Sequence, residues 1–594
     1  MTLARIVRRA APEADGLQEL HPVLRRVYAA RGVLDPMQAR PRLGDLLDPQ
    51  ALGGIDRACD LLEDALRSQT RIVVVGDFDC DGATGTAVAV RGLRALGARH
   101  VDYAVPDRRR HGYGLSPAIV AELAPRRPDL LITVDNGIAA HAGVAAAKAH
   151  GMRVIVTDHH LPGASLPDAD AIIDPNLPGD GFASQALAGV GVMFCLLLAL
   201  RARLRERGAF AACAEPDLRE LLDLVALGTV ADLVPLDRNN RILVAAGLQR
   251  IRAGRAGAGI AALLRAGKRD PARCVATDLG FVIGPRINAA GRLQDMRIGI
   301  QCLLADDPGH ARELAEQLSA INAQRRELQD EMVERAQATV GEWIARHGHD
   351  GLPVGPVLFE PDWHHGVVGL VASKLKEHLH RPVIACALSD PDDDEVKGSG
   401  RSIAGFHLRD ALAEVDARHP GLLLRFGGHA MAAGLSLRRA DLPAFAAQFD
   451  AVARARIPAD ALQAVLHSDG ELQAEDFTCE LARQLRYAGP WGQGFPEPLF
   501  DGEFEVEGWK VMAEKHLRLD LRPANGAHPL RGVAFGAWDG NPPPARIHAC
   551  YQLELDAWNG EERLQLLIRR FEAVGSGSFN AVSPCGSSAG RAIR

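Results

Sequence analysis

Three short apolar runs, each ending at once in carboxylates or imidazoles, constrain this chain more than any other feature. Arg71-Ile-Val-Val-Val-Gly76 leads into Asp77-Phe-Asp-Cys-Asp-Gly82, Leu130-Leu-Ile-Thr-Val134 into Asp135-Asn-Gly137, and Arg153-Val-Ile-Val-Thr157 into Asp158-His-His160. An amphipathic stretch at 55–68 precedes the first run, helical stretches at 84–96, 117–124 and 139–150 separate the rest, and a further strand falls near 100–105. Buried strands alternating with helices predict an α/β fold with a mainly parallel sheet covered on both faces. In such folds the ligand lies off the carboxyl ends of the strands. Five aspartates and two histidines would then gather at one sheet edge.

An extended run would put Asp77, Asp79 and Asp81 on one side, where three like charges repel unless a cation sits among them. Mixed oxygen and nitrogen donors suit Mn²⁺, Mg²⁺ or Zn²⁺. A single aspartate after a strand is ordinarily a turn or cap residue, and adjacent histidines are ordinarily surface or core. Their joint occurrence at three successive strand ends is what points to chemistry. An EF-hand is excluded, because the position six residues after Gly82 is Val88 rather than glutamate.

The rest of the chain divides by texture. Residues 1–50, with prolines at 12, 22, 36, 41 and 49, read as a lead-in, and the α/β unit with the helical stretch 185–305 fills 51–305. A connecting helix over 306–348, capped by Asp307, has no glycine between Gly309 and Gly341, and spans ~55 Å at ~1.5 Å per residue. A second, smaller α/β domain follows over 349–456. Residues 457–575 alternate short apolar stretches with Gly, Pro and Asn turns, as a small β-barrel or sandwich does. The polar tail 576–594 is expected to be disordered.

Composition narrows the class. The 11-residue run Val190–Leu200 is too short for a membrane helix, which needs ~20 residues. No secretory signal is visible at the start, and the 10 cysteines form no Cys-x-x-Cys pair, so a cytoplasmic location is expected. Net charge is −7, which on its face argues against nucleic acid. The charge is uneven, however. Residues 457–575 carry 11 cations against 19 carboxylates, whereas residues 1–456 are nearly neutral at −1. Of the 68 cations 61 are arginine, a bias compatible with phosphate handling and equally with an arginine-rich coding habit.

The motifs Val74-Val-Gly-Asp-Phe-Asp-Cys-Asp-Gly82, Val134-Asp-Asn-Gly137, Thr157-Asp-His-His160 and Gly228-Thr-Val-Ala-Asp-Leu-Val-Pro235 together resemble those of the DHH phosphoesterase superfamily, and within it the RecJ single-strand DNA exonucleases. Gly427-Gly-His-Ala430 is similar to the signature of the associated DHHA1 domain, and Trp491-Gly-Gln-Gly-Phe-Pro-Glu-Pro498 to the segment leading into an OB-fold. The likeness spans roughly residues 50–575, with Cys80 standing where alanine is common. It implies a parallel-sheet DHH domain and a smaller DHHA1 domain joined by a long helix, plus a C-terminal OB-fold barrel.

The resemblance further implies two divalent cations, Mn²⁺ preferred and Mg²⁺ usable. One would be held by Asp77, Asp79 and Asp135, the other by Asp81, His159, Asp232 and a bridging Asp135. Such a pair clamps a scissile phosphate for in-line displacement. His160 would bind or protonate phosphate oxygens, Asp158 would orient a ligand imidazole, and Asp174 is either a supporting or a turn residue. Arg286, Asn288 and Arg292 on a glycine-punctuated loop, Ser399 and Arg401 in a phosphate-cradling nest at 397–402, and His429 are candidate substrate contacts. Arg108 resembles the family's nucleotide-contacting arginine. Tyr113, Phe406 and Trp491 are either stacking or packing residues.

The implied activity is 5′→3′ hydrolysis of single-stranded DNA to 5′-mononucleotides in repair and recombination, by a monomer working with a helicase and a single-strand-binding protein, without membrane contact. The alternatives are a phosphoesterase for short oligonucleotides, cyclic dinucleotides or pyrophosphate, and a catalytically dead DNA-binding scaffold.

Overall fold

The computed structural model describes residues 5–107, 110–348, 351–389, 394–524, 526, 528–558 and 561–574. Arg108 and the tail 576–594 lie outside the described residues. The chain opens with β1 (Arg5–Arg8), α1 (Pro22–Ala29) and α2 (Pro36–Ala39). Proline begins both helices, where its missing N–H costs nothing, and the side chains of His21 and Asp35 accept the N–H groups of Val23 and Met37. The segment is stitched to the far end of the chain, for β1 pairs in parallel with residues 465–468.

Then come α3 (Ile55–Ser68), β2 (Ile72–Gly76), α4 (Cys80–Ala95), β3 (Val101–Ala104), α5 (Pro117–Leu123), β4 (Leu130–Val134), α6 (His141–Ala149), β5 (Arg153–Thr157) and β6 (Ala171–Ile173). The strands form one parallel sheet in the order β3-β2-β4-β5-β6. Every residue of β2 and β4 is buried, which explains their unbroken apolar sequences. One expectation needs correcting. Asp81 is not in an extended run, because α4 starts at Cys80, four residues early. The Asp79 side chain caps it, accepting from the N–H groups of Asp81 and Gly82.

The helical part comprises α7 (Gly189–Glu206), α8 (Leu222–Ala231), α9 (Arg238–Arg252), α10 (Ala258–Ala266), α11 (Ala276–Asp278), α12 (Gly284–Leu293) and α13 (Arg297–Leu304). Residues 284–292, expected as a loop, are helix α12. A π-turn, Leu279–Ile283, runs straight into it, and Pro285 stands in its first turn. Its glycines serve close packing instead of turns: a Cβ on Gly291 would lie 2.0 Å from the Phe78 carbonyl oxygen. The connecting helix is α14 (Pro308–His347), 40 residues long and capped by Asp307, hence ~60 Å. Its first half packs Ala311, Leu314, Ala315 and Leu318 into the core beneath the parallel sheet and its helices. Its second half packs Met332, Ala336 and Val340 into the next lobe.

That lobe contains β7 (Val357–Phe359), α15 (Val368–Leu379), β8 (Val383–Leu388), β9 (Glu395–Arg401), α16 (Leu408–Arg418), β10 (Arg425–Gly428), β11 (Ala432–Arg438) and α17 (Leu442–Arg456). The sheet order is β10-β11-β9-β8-β7. The nest expected at 397–402 is instead largely strand β9, paired antiparallel on both sides with β8 and β11. Its backbone groups are spent on the two ladders, so only side chains remain for a ligand.

After β12 (Val465–Ser468) and α18 (Cys479–Tyr487), strands β13 (Phe500–Met512), β14 (His516–Pro523), β15 (Leu530–Ala534), β16 (Arg546–Trp558) and β17 (Glu561–Ala573) close into a barrel in the order β13-β14-β15-β17-β16. At its foot Arg8 donates from Nε and Nη2 to the carboxylate of Asp501, which is fully buried and also meets Ser468 and His548. Burial alone would raise the Asp501 carboxyl, but hydrogen bonds from His548, Arg8 and Ser468 hold it well below the usual carboxylate range. The folded value lies below the unfolded ~3.9. Its stabilisation is therefore complete above about pH 4 and lost as pH falls further. Asp501→Asn is expected to lower the melting temperature at pH 6–7, with the gap to the parent narrowing below about pH 4 in thermal scans across pH.

Candidate metal centre

Each strand end presents its acids through a specific local device. Asp135 follows β4 in the left-handed region at φ 62°, a strained conformation that aspartate tolerates better than most residues. Asn136 is fully buried. Its amide nitrogen donates to the carbonyls of Val75 and Val134 and its oxygen accepts from the Leu115 N–H, so it locks the ends of β2 and β4 together. Gly137, at φ 121°, allows a backbone approach that a Cβ would block at 2.4 Å from Thr133 Oγ1. Asp81 accepts from the first N–H groups of α7, Gly189 at 2.6 Å and Val190 at 2.9 Å. That helix end comes close because Gly189 has no side chain: a Cβ there would lie 2.6 Å from Asp135 Cβ.

The result is three groups of ligand atoms, each within 4.8 Å of one another: Asp77, Asp79 and Asp135; Asp81, His159 and Asp232; and Asp135, His159 and His160. His159 Nε2 lies 3.0 Å from Asp135, 3.5 Å from Asp232 and 3.9 Å from Asp81. All six residues expected to hold metal are therefore neighbours, with Asp135 common to two of the groups. Burial first, then mutual repulsion, pushes the carboxyls of Asp81 and Asp135 well above the usual range. Among the described residues no lysine or arginine pairs with Asp79, Asp81, Asp135 or Asp232. A buried acidic cluster of this kind holds protons unless a cation replaces them. Hard carboxylates with one imidazole fit Mn²⁺ or Mg²⁺.

Asp158 takes a different role from the one expected. Its Oδ1 lies 2.7 Å from Nδ1 of His160, not of His159, while Oδ2 accepts from the Ile138 N–H. Burial would lower the His160 imidazole, yet the bond to Asp158 and its charge lift it to about 9. His160 is anchored to Asp158 through Nδ1, with Nε2 3.5 Å from the Tyr113 hydroxyl. Burial lifts the Asp174 carboxyl to about 7. It accepts from the Asn176 N–H, and the Asn176 amide donates to the His159 carbonyl, so Asp174 supports the site from behind.

Tyr113 belongs to the site more than its sequence indicated. Its hydroxyl donates to the Asp135 carbonyl and lies 3.5 Å from His160 Nε2, and its ring meets Phe78 and His160 edge-on. The signal was the flanking glycines, 112 and 114, both at positive φ. Phe406 and Trp491, by contrast, are buried packing residues.

From the second lobe, the ring of His429 stacks on His160 at 5.8 Å. Arg401 is largely buried and donates to Ser399 Oγ and the Gly400 carbonyl, with no carboxylate partner among the described residues. Both side chains lie against the first turn of α15: a Cβ on Gly369 would sit 2.9 Å from Ser399 Oγ and 3.0 Å from the Arg401 guanidinium. The α12 residues do other work. Asn288 accepts the Cys80 N–H and steadies the start of α4. Arg286 binds Ser319 and the Val282 carbonyl, and Arg292 reaches the Gly366 carbonyl across the lobes.

Three family models match the chain: the DHH family N-terminal domain over residues 71–229, the DHHA1 domain over 354–455 and the RecJ OB domain over 468–570. The single-stranded-DNA-specific exonuclease RecJ of Dickeya dadantii is 50% identical over 572 residues, covering 95% of this chain and 98% of that protein. Its Escherichia coli counterpart is 49% identical over 561 residues, covering 93% and 96%. The crystal structure of RecJ from Thermus thermophilus in complex with Mn²⁺ superposes with a TM-score of 0.78 at 33% identity, covering 96% of this chain and 79% of that one. The Mg²⁺ complex gives 0.73 at 31%, covering 96% and 78%.

Proposed function

The chain belongs to the RecJ single-stranded-DNA-specific exonucleases of the DHH family, and on that premise we propose how its own residues carry out the reaction. It is a metal-dependent phosphodiesterase acting on single-stranded DNA in repair, and the direction of digestion we assign is 5′→3′ with release of 5′-mononucleotides. The observation that carries the reading is the pair of ligand groups on one sheet edge, with Asp135 placed between them. Asp77, Asp79 and Asp135 would hold one divalent cation, and Asp81, His159 and Asp232 the other, with Asp135 beside His159 between the two groups. When bound, the pair supplies Lewis acidity toward the scissile phosphate and lowers the pKa of the attacking water.

The remaining steps belong to side chains. His160, held through Nδ1 by Asp158, presents Nε2 to a non-bridging phosphate oxygen, where a proton on it would offset the charge that builds there. Tyr113 fixes the backbone of Asp135 and borders His160, and His429 closes the site from the second lobe. Ser399, Arg401 and the first turn of α15 receive the terminal phosphate, since a buried guanidinium beside a helix N-terminus is a ready anion site. Arg401→Ala is expected to raise KM for a 5′-phosphorylated strand about 10- to 100-fold, as loss of a charged hydrogen bond does, and to affect a 5′-hydroxyl strand much less. Steady-state kinetics on the two substrates checks this.

We further assign the catalytic domain to residues 51–305, the substrate-binding domain to 349–456 and the OB-fold to 457–575. The enzyme is read as a cytoplasmic monomer, with a helicase and a single-strand-binding protein as partners, on family resemblance. No described helix is long and apolar enough to cross a membrane. The direct test supplies Mn²⁺ with end-labelled single-stranded and duplex oligonucleotides. Stepwise loss of mononucleotides from the 5′ end of the single strand is expected, and equal digestion of both, or of neither, contradicts the assignment.

A further inference from the structure

The lead-in segment around Leu43 lies against α7, α8 and α9 and borders two adjoining hollows, of about 490 and 460 Å³, which share Leu43, Asp217 and Arg219. Each is of a size that takes a small organic ligand. None of the six residues assigned to metal lines either hollow. Leu222, the first residue of α8, borders the second, whereas Asp232 follows the last residue of the same helix. Ten residues of helix therefore keep the hollow ~15 Å from the metal centre.

The two hollows differ in chemistry. The first is walled by Leu43, Leu46, Phe194 and Leu198, and the glutamate at its rim, Glu215, is paired with Arg201 and Arg205. The second is bordered by Arg42, Arg219, Arg250 and Arg255, with Asp217 as the one acid in its lining. Asp217 is already engaged, because both its oxygens accept from the Arg219 guanidinium and Oδ1 also takes the Arg219 N–H. Arg42 and Arg255 are exposed, and among the described residues their side chains have no ion pair or hydrogen bond. Arg250, in the last turn of α9, is half-buried, and its Nε is buried without a hydrogen-bond partner. The acid whose field reaches it, Asp223, already accepts the N–H groups of Leu224 and Gly257. Three unpaired guanidiniums around one recess repel each other until an anion joins them.

We propose that the paired hollows bind a free nucleoside phosphate at a position separate from the metal centre. Arg42, Arg250 and Arg255 take the phosphate oxygens, for which the planar guanidinium fork is suited. The base lies in the adjoining apolar compartment against Leu43, Leu46 and Leu198. The match is one of charge and of layout. Three free cations suit a group that carries two or more negative charges near neutral pH, and the apolar compartment begins where the cationic one ends, at Leu43. Mononucleotides released by digestion and free nucleoside triphosphates share this chemistry, and binding measurements separate them.

The test is calorimetric titration of the full chain with Mn²⁺ and without DNA, using dAMP beside inorganic phosphate and dATP beside inorganic triphosphate. At least one nucleotide should bind at a site that Arg250→Ala and Arg255→Ala each weaken about 10- to 100-fold, as loss of a charged hydrogen bond does. Tighter binding of dAMP identifies the released product as the ligand, and tighter binding of dATP the free triphosphate. Leu46→Glu should weaken the nucleotide while leaving its inorganic counterpart unchanged. All three variants should digest single strands at the parent rate when no nucleotide is added. Nucleotide binding that is unchanged in both arginine variants, or matched by the inorganic ion, overturns the proposal, as does a variant that loses the basal rate while remaining folded. Binding is read without DNA, so a negative result leaves the exonuclease reading standing, whereas a parent enzyme that leaves all single strands intact would overturn that reading instead.

Discussion

Asp135→Asn is expected to lower kcat/KM on single-stranded DNA by about 10³-fold or more, roughly 4 kcal/mol of transition-state stabilisation, while making the metal-free protein more stable. Both effects have one cause. The Asp135 carboxylate is 2% exposed and shared between ligand groups, so with it goes the bridge between the two cation positions. Without cations that same carboxylate is a liability, since burial and Asp81 disfavour its charge. Asparagine keeps the shape and tolerates the left-handed backbone. Thermal scans separate the two effects. Added Mn²⁺ should raise the melting temperature of the parent by preferential binding to the folded state. The variant should start higher in chelator and gain little from the metal. A variant that gains as much as the parent would place the metal elsewhere.

Asp469→Ala is expected to destabilise the protein by about 3–5 kcal/mol, the cost of leaving a buried charge without its partner. The side chains of Asp469 and Arg31 are 0% and 1% exposed, so solvent offers no screening. Arg31 makes a paired contact to both carboxylate oxygens, binds the carbonyls of Pro496 and Glu497, and lies over the Trp491 ring. These contacts fasten the end of helix α1 to the segment that leads into the barrel. Their loss should appear in denaturant titrations as an earlier transition of the barrel, and in limited proteolysis as cleavage near 456–470. An Arg31→Met, Asp469→Leu double variant should recover much of the loss, since paired apolar residues leave no buried charge.

Much of the gathering of acids and histidines at the candidate metal site could be read along the chain, because each strand end carries its polar residues within a few positions. Asp77, Asp135 and His159 needed only the alternation of strands and helices to be brought to one edge. The long helix α14 was equally open to reading, having a capping aspartate and no break. What escaped were features set by distant partners. The pairing of β1 with β12 joins Arg5 to Val465, and local pattern carries no trace of it. Glycines misled in both directions. Those at 284 and 291 suggested a loop but allow α12 to pack on Ala231 and Phe78, and those at 398 and 400 suggested a nest but fit a strand under Leu408 and Leu435. The early start of α4 was hidden because Asp79 is both a helix cap and a candidate ligand. The π-turn Leu279–Ile283 had no signal at all, for nothing in a sequence announces one.

The most direct test of the account is to soak crystals with Mn²⁺ and locate the ions by anomalous scattering. Two peaks are predicted, about 3.5–4 Å apart as in two-metal sites generally. Asp77 and Asp79 should ligate one, Asp81, His159 and Asp232 the other, and Asp135 should lie between them. A single ion, or two ions not joined through Asp135, would contradict it.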